Sequence, residues 1–529
     1  MEVFDRTSDY DPNIDAIVRV EARRLRTKLK AYYENGPGAV DPVLIGLRPG
    51  SYVPVFRWLD AQPPKHHEEI GGVLPPRRMC IAVLPFVNMS PEPEQDYFCD
   101  GISEEITNSL TRISGLNVIA RTSSFYFKGA NIDIREVGQR LGADIVIEGS
   151  VRKAGEQLRI TAQAIRAESG HHFWSETFRR ELKDVFAIQE GIAQSVAELL
   201  RLHMPEVQGG VRASAPNLDA YTEYLRARFL IHQQSPETLH TALEQLRRIT
   251  QTYPDYALAH SGMAAASGLL AQFGVVSGRD LYPEIRANAE RGFALDPESA
   301  DTCTVLGALR AWFEHRWDEA DDMFERALTV QPSHAPAHMF RAMGLLCQGD
   351  FKAAEAGLCR STELDPLSAS DCARTAYLHY AKGDSPTAEE YLRQAFELDR
   401  DYPEAQFYEG LVHFQQQRYD AVSKCLSPSV APLCIGLLAA AHAQIGNHSR
   451  AEESVARLDR LAANQYVTPL ARAFAAVGMG DFDLAFQSLD EAIDHKTNFV
   501  NLLAIEPFFR PLHEHSKFAR LLKKLNLPH

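Results

Sequence analysis

Basic side chains crowd into one short stretch near the start of the chain, and their chemistry is that of anion recognition. In the stretch IVRVEARRLRTKLKAYY, residues 17–33, basic residues recur at the intervals of one helix face. They are Arg19, Arg23, Arg26 and Lys30, and Arg24 and Lys28 widen the same patch. Lysine and arginine attract phosphates, and arginine can donate two hydrogen bonds to guanine. The stretch therefore predicts a helix that binds DNA through a continuous positive face.

The same stretch carries an apolar stripe on its other side. The residues of this stripe, again spaced by four and three, are Val18, Ala22, Leu25, Leu29 and Tyr32. This spacing predicts a helix that is buried on the apolar side and keeps its basic side outward. A second interpretation stays open, in which the basic side is solvated and docks on an acidic surface of the chain itself, such as the C-terminal repeats.

A hairpin is predicted directly after this helix. PVLIGL (42–47) and YVPVF (52–56) read as two strands, and RPGS (48–51) reads as the turn between them. A basic helix followed by such a hairpin resembles the recognition helix and wing of an OmpR/PhoB-type winged-helix DNA-binding domain. The pattern Val-x-Val-x-x-x-Arg-Leu-Arg-x-Lys-Leu of that family is matched without a gap from Val18 to Leu29.

The winged-helix resemblance implies a role for each basic residue in a DNA contact through residues 17–52. It places Arg24 and Arg26 in the major groove, Arg19 and Arg23 on phosphates, and Arg48 in the adjacent minor groove. A complete winged helix has two earlier helices, and only residues 1–15 precede this one. We therefore expect residues 1–58 to be a partial winged helix, either truncated or given too late a start codon.

Histidine pairs and acidic pairs elsewhere could also do chemistry. The histidine pairs are His66 and His67, His171 and His172, and His513 and His515, and none has a carboxylate or cysteine at ligand spacing. The acidic residues Asp96, Asp100, Glu104 and Glu105 are interpreted as the solvated face of a helix rather than a general acid/base pair. We expect no metal, no cofactor and no enzymatic activity.

One further stretch could hold an anion. ARTSSFYFKG, residues 120–129, follows a strand and brings hydroxyl groups together with Arg121 and Lys128. A polar capping loop is the preferred interpretation of this stretch. No glycine-rich phosphate loop and no locally supported Ser-His-Asp order is present in the sequence.

Composition limits the classes of protein that this chain can be. Its 529 residues suffice for several domains, and a net charge of −15 excludes a protein that coats nucleic acid over its whole surface. Eight cysteines without a CxxC pair indicate reduced thiols in a cytosol. No export signal is visible, and the uncharged runs are too short to span a bilayer. We expect a soluble, cytoplasmic protein without a membrane segment.

Two polar segments rich in proline and glycine, residues 59–78 and 204–217, are predicted to be linkers. Between them, residues 79–203 give the order β-α-β-α-β-β-β-α. The runs IAVLPFVNMS, YFCDGISEEITNSLTRIS, IVIEGSVRKAGEQLRITAQAI and HHFWSETFRRELKDVFAIQEGIA resemble the TolB-like domain of bacterial regulatory proteins. The resemblance implies an α/β scaffold that carries no catalytic residue.

Residues 218–495 contain an internal repeat of about 34 residues. In WDEADDMFERALTVQP (317–332), Ala320, Phe324 and Ala327 mark one helix face and Pro332 ends the helix. FKAAEAGLCRSTELDP (351–366) repeats this pattern, as do later segments. The pattern resembles the tetratricopeptide repeat, which implies an all-α solenoid of seven or eight units whose groove binds a protein or peptide. Residues 496–529 are predicted to cap its end, with an amphipathic helix at 507–527.

These observations predict a multidomain protein with a partial winged helix, a TolB-like α/β domain and a tetratricopeptide-repeat solenoid. The predicted function is that of a protein–protein interaction scaffold with a transcription-regulatory or signalling role. An alternative is an accessory chain related to class III adenylate cyclase proteins but without their catalytic domain. Association into a homodimer is left open.

Overall fold

Two compact units make up the chain, Met1–Arg77 and Arg78–His529. The computed structural model describes residues 24, 25, 28, 29, 32, 43–47, 54–58, 78–90, 95–155, 157–181, 185–203 and 217–528. The first unit holds the basic stretch and the hairpin, and the second holds the larger sheet and all of the repeats.

The first unit contains an antiparallel strand pair. Strand β1 (Val43–Leu47) pairs with β2 (Pro54–Trp58), from Val43 opposite Trp58 to Leu47 opposite Pro54. This pairing confirms the predicted hairpin, with its second strand two residues further along than predicted. The predicted turn at 48–51 lies outside the described residues.

Part of the predicted basic helix is also described. Arg24, Leu25, Lys28, Leu29 and Tyr32 are helical. However, the side chains of Leu25 and Tyr32 are 47% and 40% exposed. The predicted burial of the apolar stripe is therefore wrong at these two positions.

A mixed six-stranded sheet opens the second unit. Its strands are β3 (Met79–Val83), β4 (Val87–Asn88), β5 (Leu116–Val118), β6 (Ile145–Ala154), β7 (Gln157–Arg166) and β8 (His171–Glu181). The order across the sheet is β5-β3-β6-β7-β8, and β4 pairs with β6. Strand β3 is parallel to β5 and β6, whereas β6, β7 and β8 form an antiparallel meander. This arrangement confirms the predicted order of the main elements and adds the short strand β4 and a five-residue helix after β5.

The described residues of this sheet domain include four helices. They are α1 (Asp96–Thr111), α2 (Arg121–Phe125), α3 (Ile134–Leu141) and α4 (Val185–His203). Helices α1 and α4 cover one face, where Ile106 and Ile192 pack with Ile160 of β7. On the other face Val137 of α3 packs with Val146 at the start of β6. Helix α2 occupies part of the stretch 120–129, for which a capping loop was predicted.

Sixteen helices follow within residues 217–494 and form eight successive antiparallel pairs. They are α5 (Leu218–His232), α6 (Pro236–Thr252), α7 (Ala257–Gln272), α8 (Gly278–Leu295), α9 (Ala300–Trp312), α10 (Trp317–Val330), α11 (Ala335–Cys347), α12 (Phe351–Leu364), α13 (Ala369–Lys382), α14 (Ser385–Leu398), α15 (Pro403–Gln415), α16 (Tyr419–Leu426), α17 (Pro432–Gln444), α18 (His448–Ala462), α19 (Pro469–Met479) and α20 (Phe482–Asp494).

The repeat signature lies where the helices touch. Ala320, Phe324 and Ala327 of α10 are at most 2% exposed, and Phe324 packs closely on Gly307 of α9. The turn glycines that precede α14 and α20 have positive φ angles, 82° at Gly383 and 78° at Gly480. Glycine adopts this left-handed conformation without strain. A residue in this conformation ends a helix, so each glycine ends the first helix of its pair.

The sheet domain and the solenoid pack on each other within the second unit. Two residues of the repeats donate hydrogen bonds to the edge strand β5. Ser333, in the loop before α11, donates its hydroxyl to the carbonyl of Leu116 (2.9 Å), and Arg360 of α12 donates to Asn117 Oδ1 (2.7 Å). Next to this edge, the Ala120 N–H donates to the Leu364 carbonyl (2.6 Å). The segment 204–217 therefore joins two domains that are in direct contact.

The C-terminal segment differs from the predicted single helix over 507–527. It forms two 3₁₀ turns, Asn498–Leu502 and Pro507–Leu512, and then α21 (Ser516–Lys524). Pro511 lacks the backbone N–H that the interior of an α-helix needs, which accounts for the change. Helix α21 packs on α20, and Lys517 and Lys524 pair with acidic residues there.

Candidate functional site

The first helices of the pairs form one side of the solenoid, here called the inner surface. This surface is rich in aromatic side chains on α13, α15 and α19. The buried ones are Tyr377, Tyr380, Phe407, Tyr408 and Phe474. Helix α13 is fixed by the Ser368 hydroxyl at its start and by Gly383 at its end, so its two tyrosines are held one turn apart.

The chain's own C-terminal segment occupies this inner surface. The Glu506 side chain is fully buried, and its carboxylate accepts hydrogen bonds from the hydroxyls of Tyr377 (2.7 Å) and Tyr380 (2.5 Å). It also accepts from the N–H of Phe508 at the start of the second 3₁₀ turn (3.0 Å). The sequence predicted a protein or peptide in the repeat groove, and the structure places residues of this chain there.

Aromatic packing surrounds that carboxylate. The ring of Phe508 lies 4.6 Å from the ring of Phe474 and 4.7 Å from that of Phe414, measured between centroids. Phe509 also packs on Phe474, with the ring centroids 5.0 Å apart. Pairs of this kind contribute about 0.5–1.5 kcal/mol beyond the area they bury. The inner surface therefore recognises the C-terminal segment through one carboxylate and two adjacent aromatic rings of that segment.

Burial controls the ionisation of these groups. Burial raises the pKa of Glu506, and the hydrogen bonds from Tyr380, Phe508 and Tyr377 oppose the rise. Burial and the nearby carboxylate also raise the pKa of both tyrosines well above the ordinary value. The two hydroxyls therefore remain protonated donors at physiological pH.

Further contacts tie the C-terminal segment to the middle of the solenoid. The Trp317 indole N–H donates to the Leu525 carbonyl (2.9 Å), and Asn526 donates to the His315 carbonyl (3.0 Å). Lys496 donates to the Phe313 carbonyl (2.5 Å). These bonds join residues that are about 180 to 210 positions apart in the sequence. The periodicity of the sequence does not predict them.

A second polar cluster lies between α1, α2 and α5. Lys128 Nζ lies 2.7 Å from Asp100, and Arg121 Nε lies 3.2 Å from Glu104. Arg228 reaches both Glu104 (3.3 Å) and Glu105 (3.0 Å). The prediction of a solvated acidic face is wrong at Asp100, which is only 3% exposed, whereas Asp96 is exposed as predicted. Glu104 and Glu105 are partly buried. The bases that could have held an external anion are neutralised by these acids.

Arg228 dominates the electrostatics of this cluster. Burial disfavours the charged form of Glu104, but Arg228, His232 and Arg121 outweigh it and hold the pKa of that carboxyl well below its usual range. For Glu105 burial prevails over the attraction of Arg228, and the pKa is raised. Neither residue could be assigned to a buried cluster from sequence, because the arginine lies more than 120 residues away.

Of the predicted DNA-binding residues, Arg24 and Lys28 are described, and both are helical and exposed. Arg19, Arg23, Arg26, Lys30 and Arg48 lie outside the described residues. Their role in DNA binding stays a prediction.

Metal-ligand clusters and membrane-spanning helices are both absent from the described ranges. Within residues 78–90, 95–155, 157–181, 185–203 and 217–528, and the few described before them, no three His, Cys, Asp or Glu side chains cluster as metal ligands. No helix in this part of the chain is long and apolar enough to cross a bilayer.

Two families match separate parts of the chain. The family described as HilA/YgeH-like transcriptional regulator, second domain, matches residues 77–195, which is the sheet domain. The tetratricopeptide-repeat family matches residues 306–369 and 374–421. The C-terminal part is thus an all-helical tetratricopeptide-repeat solenoid, as predicted.

Relatives resemble part of the chain. A protein of Rhizobium meliloti (strain 1021) named "Putative adenylate cyclase 3" is 38% identical over 217 residues, which cover 40% of this chain and 37% of that protein. The transcriptional regulator HilA of Salmonella typhimurium is 20% identical over 300 residues, 56% of this chain and 52% of the regulator. A solved tetratricopeptide-repeat protein of Thermus thermophilus is 18% identical, with a TM-score of 0.30, over 35% of this chain and 95% of that one. The chain is therefore similar to regulators and to repeat proteins, and it spans about half or less of the length of its curated relatives.

Proposed function

We propose that this chain is a non-enzymatic regulatory protein that receives its signal as a protein segment bound at the inner surface of its repeats. The observation that carries the proposal is the position of Glu506 between Tyr377 and Tyr380. The surface already binds one segment of irregular backbone, and it does so through a buried carboxylate and neighbouring aromatic rings. A partner with the same chemistry would compete with the C-terminal segment.

Regulation of transcription is the specific role within this proposal. It is supported by the match of residues 77–195 to the second domain of HilA/YgeH-like regulators and by the similarity to HilA itself. The TolB-like and OmpR/PhoB-type assignments, DNA binding through residues 17–52 and a cytoplasmic location belong to the same proposal. They rest on the sequence patterns given above.

A second candidate function follows from the Rhizobium relative. The identity of 38% over 217 residues supports a shared regulatory region in two signalling proteins. In this alternative the chain is an accessory protein in nucleotide signalling and carries no cyclase domain of its own. Purified chain incubated with ATP and Mg²⁺ or Mn²⁺ would form no cyclic AMP in this alternative.

Competition with a peptide tests the proposed binding surface. The probe is a fluorescent peptide with the sequence of residues 503–512, LAIEPFFRPL. The full-length variant Glu506→Ala/Phe508→Ala weakens the resident segment and should bind the probe at least ten-fold more tightly than the wild type does. Fluorescence anisotropy measures both affinities, and circular dichroism checks that the variant keeps its helices.

The control peptide carries alanine at the positions of the glutamate and of the first phenylalanine, and it should not bind. Hydrogen exchange of the wild type with excess probe provides a second measurement, because displacement should expose the amides of residues 498–512. If the folded variant ignores the probe and the amides remain protected, the inner surface is not a binding site for partners.

A further inference from the structure

Three arginines stand side by side on the exposed face of the sheet. Arg152 of β6 is directly opposite Arg159 of β7, and Arg159 is directly opposite Arg179 of β8. All three side chains are exposed. Neighbouring strands lie about 4.8 Å apart, so the row spans only about 10 Å. We call these three residues the arginine row.

The juxtaposition of Arg152 and Arg159 in this row is unfavourable within the described part of the chain. Like charges directly opposite each other on neighbouring strands destabilise a sheet. Within the part of the chain that the structure describes, no carboxylate lies within ion-pair distance of Arg152 or Arg159. The chain as a whole has a net charge of −15, so this local concentration of positive charge runs against its composition. Such a patch is suited to an anionic group from outside.

Hydroxyl groups and apolar side chains adjoin the row. Ser150, Thr161 and Thr177 form the next row of the same face, and the two threonine hydroxyls lie 3.2 Å apart. On β4, Val87 pairs with Ser150 and is 56% exposed, and Met89, two residues later, is 60% exposed. The face thus combines cations, hydrogen-bonding hydroxyls and an exposed apolar margin.

We propose that this face of β6, β7 and β8 docks an acidic segment of a partner protein that carries an aliphatic residue beside its carboxylates. Arginine binds carboxylate in a planar, two-bonded geometry, and arginine and methionine are enriched in protein interfaces. A phosphodiester backbone would use the arginine row but leave the apolar margin formed by Val87 and Met89 in water. The margin therefore favours a protein segment over a nucleic acid.

This inference is independent of the proposed function, because the face shares no residue with the inner surface of the repeats. The test uses the full chain and a fluorescent twelve-residue peptide with six glutamates and two leucines. Its analogue with glutamine at every glutamate and a labelled DNA duplex of random sequence are the comparison probes. Affinities are measured by anisotropy at low and at physiological salt.

The variant Arg152→Gln/Arg159→Gln should weaken binding of the acidic peptide at least ten-fold. The matched control Arg460→Gln/Arg520→Gln also removes two exposed arginines, from the repeats and the C-terminal helix, and should change the affinity less than two-fold. The variant Met89→Ser should weaken binding about three-fold, since it removes apolar contact but no charge. The glutamine analogue should not bind the wild type.

Three results would overturn the proposal. The first is no binding of the acidic peptide to the wild type, and the second is equal loss of binding in the arginine-row variant and its control. The third is DNA binding that depends on Arg152 and Arg159 and equals or exceeds that of the peptide, because the face would then recognise nucleic-acid phosphates. Failure of the inner-surface competition would leave these expectations unchanged.

Discussion

The carboxylate of Asp365 accepts hydrogen bonds from both the backbone N–H (2.9 Å) and the hydroxyl of Ser123, although 242 residues separate the two in sequence. Ser123 belongs to α2 of the sheet domain, and Asp365 follows α12 of the solenoid. The same hydroxyl accepts a bond from the N–H of Leu367 (2.8 Å). This buried contact holds the sheet domain on the repeats.

The stability of the protein should fall with rising pH because of Asp365. Burial and the neighbouring Asp371 raise its pKa from the ordinary 3.8 to about 7. The folded protein therefore holds a proton that the unfolded chain releases between these values. The stabilising contribution is complete below about pH 4 and is lost as the pH rises through 7, a loss of about 2–4 kcal/mol. Urea unfolding from pH 4 to 8 measures it, and Asp365→Asn should abolish this component.

Asp399 provides the control for this pH effect. It follows α14 just as Asp365 follows α12, 34 residues later, but it is exposed. The variant Asp399→Asn should keep the fall in stability with rising pH, because it leaves the contact between Asp365 and Ser123 intact. A curve for Asp365→Asn that superimposes on that of the wild type would mean that this carboxyl does not titrate in the folded protein near pH 7.

Removing the Glu506 carboxylate should destabilise the protein strongly. Glu506→Ala leaves the buried hydroxyls of Tyr377 and Tyr380 without this acceptor, at a cost of about 2–4 kcal/mol. Glu506→Gln keeps an oxygen acceptor at the same place and should cost less than about 1.5 kcal/mol. Urea unfolding monitored by circular dichroism measures both. A glutamine variant as unstable as the alanine variant would show that charge, rather than hydrogen bonding, holds the segment.

Two glycines within helices should respond oppositely to alanine. At Gly436 of α17 a Cβ atom would lie 2.1 Å from the carbonyl oxygen of Ala471, a backbone atom that cannot yield cheaply. We expect Gly436→Ala to cost about 2–3 kcal/mol through overpacking. At Gly268 of α7 a Cβ atom meets nothing within 4 Å. Gly268→Ala should stabilise by about 0.5–1 kcal/mol, because alanine favours the helix. Thermal unfolding of both variants measures the change in stability. A stabilised Gly436→Ala variant or a destabilised Gly268→Ala variant would contradict the prediction.

Loss of Arg228 should destabilise the contact between α1 and α5. Arg228→Ala removes the cation that the partly buried Glu104 and Glu105 share. Arg121 and His232 remain beside Glu104, so the cost should be about 3 kcal/mol, the low end for breaking a buried ion pair. Arg226 on the same helix is exposed and only stacks on Tyr97, so Arg226→Ala should cost less than about 1 kcal/mol. Adding Glu105→Gln to Arg228→Ala should restore part of the stability. Denaturant unfolding with equal losses for the two arginines would contradict the proposed pairing.

Local patterns were sufficient to predict most of the elements. In QLRITAQAI, residues 157–165, the alternation of apolar and polar residues predicts that Leu158, Ile160, Ala162 and Ala164 face inward on β7, and all four are at most 2% exposed. The spacing of Ala320, Phe324 and Ala327 likewise predicted the buried face of α10. These patterns succeed because each element buries one side at its own period.

The candidate site depends on contacts between residues far apart in sequence, and local patterns do not contain them. The sequence does not distinguish Glu506 from the other acidic residues. Only the fold brings Tyr377 and Tyr380 next to it. The acids Asp100 and Glu104 have the helical spacing of a solvated face, and only the packing around α1 shows that Asp100 is buried and Glu104 partly buried. A one-face pattern tells which side of a helix is apolar, but it does not show what covers the other side.

The bond from Trp317 to Leu525 changes how the solenoid should fold. Repeat arrays usually gain stability from neighbour to neighbour, so their ends can fray separately. Here a segment that follows the repeats completes the packing of α10, about 200 residues earlier. The array should therefore melt as one cooperative body. During synthesis the aromatic side chains of the inner surface should stay uncovered until the C-terminal segment has left the ribosome, and we expect the nascent chain to depend on chaperones.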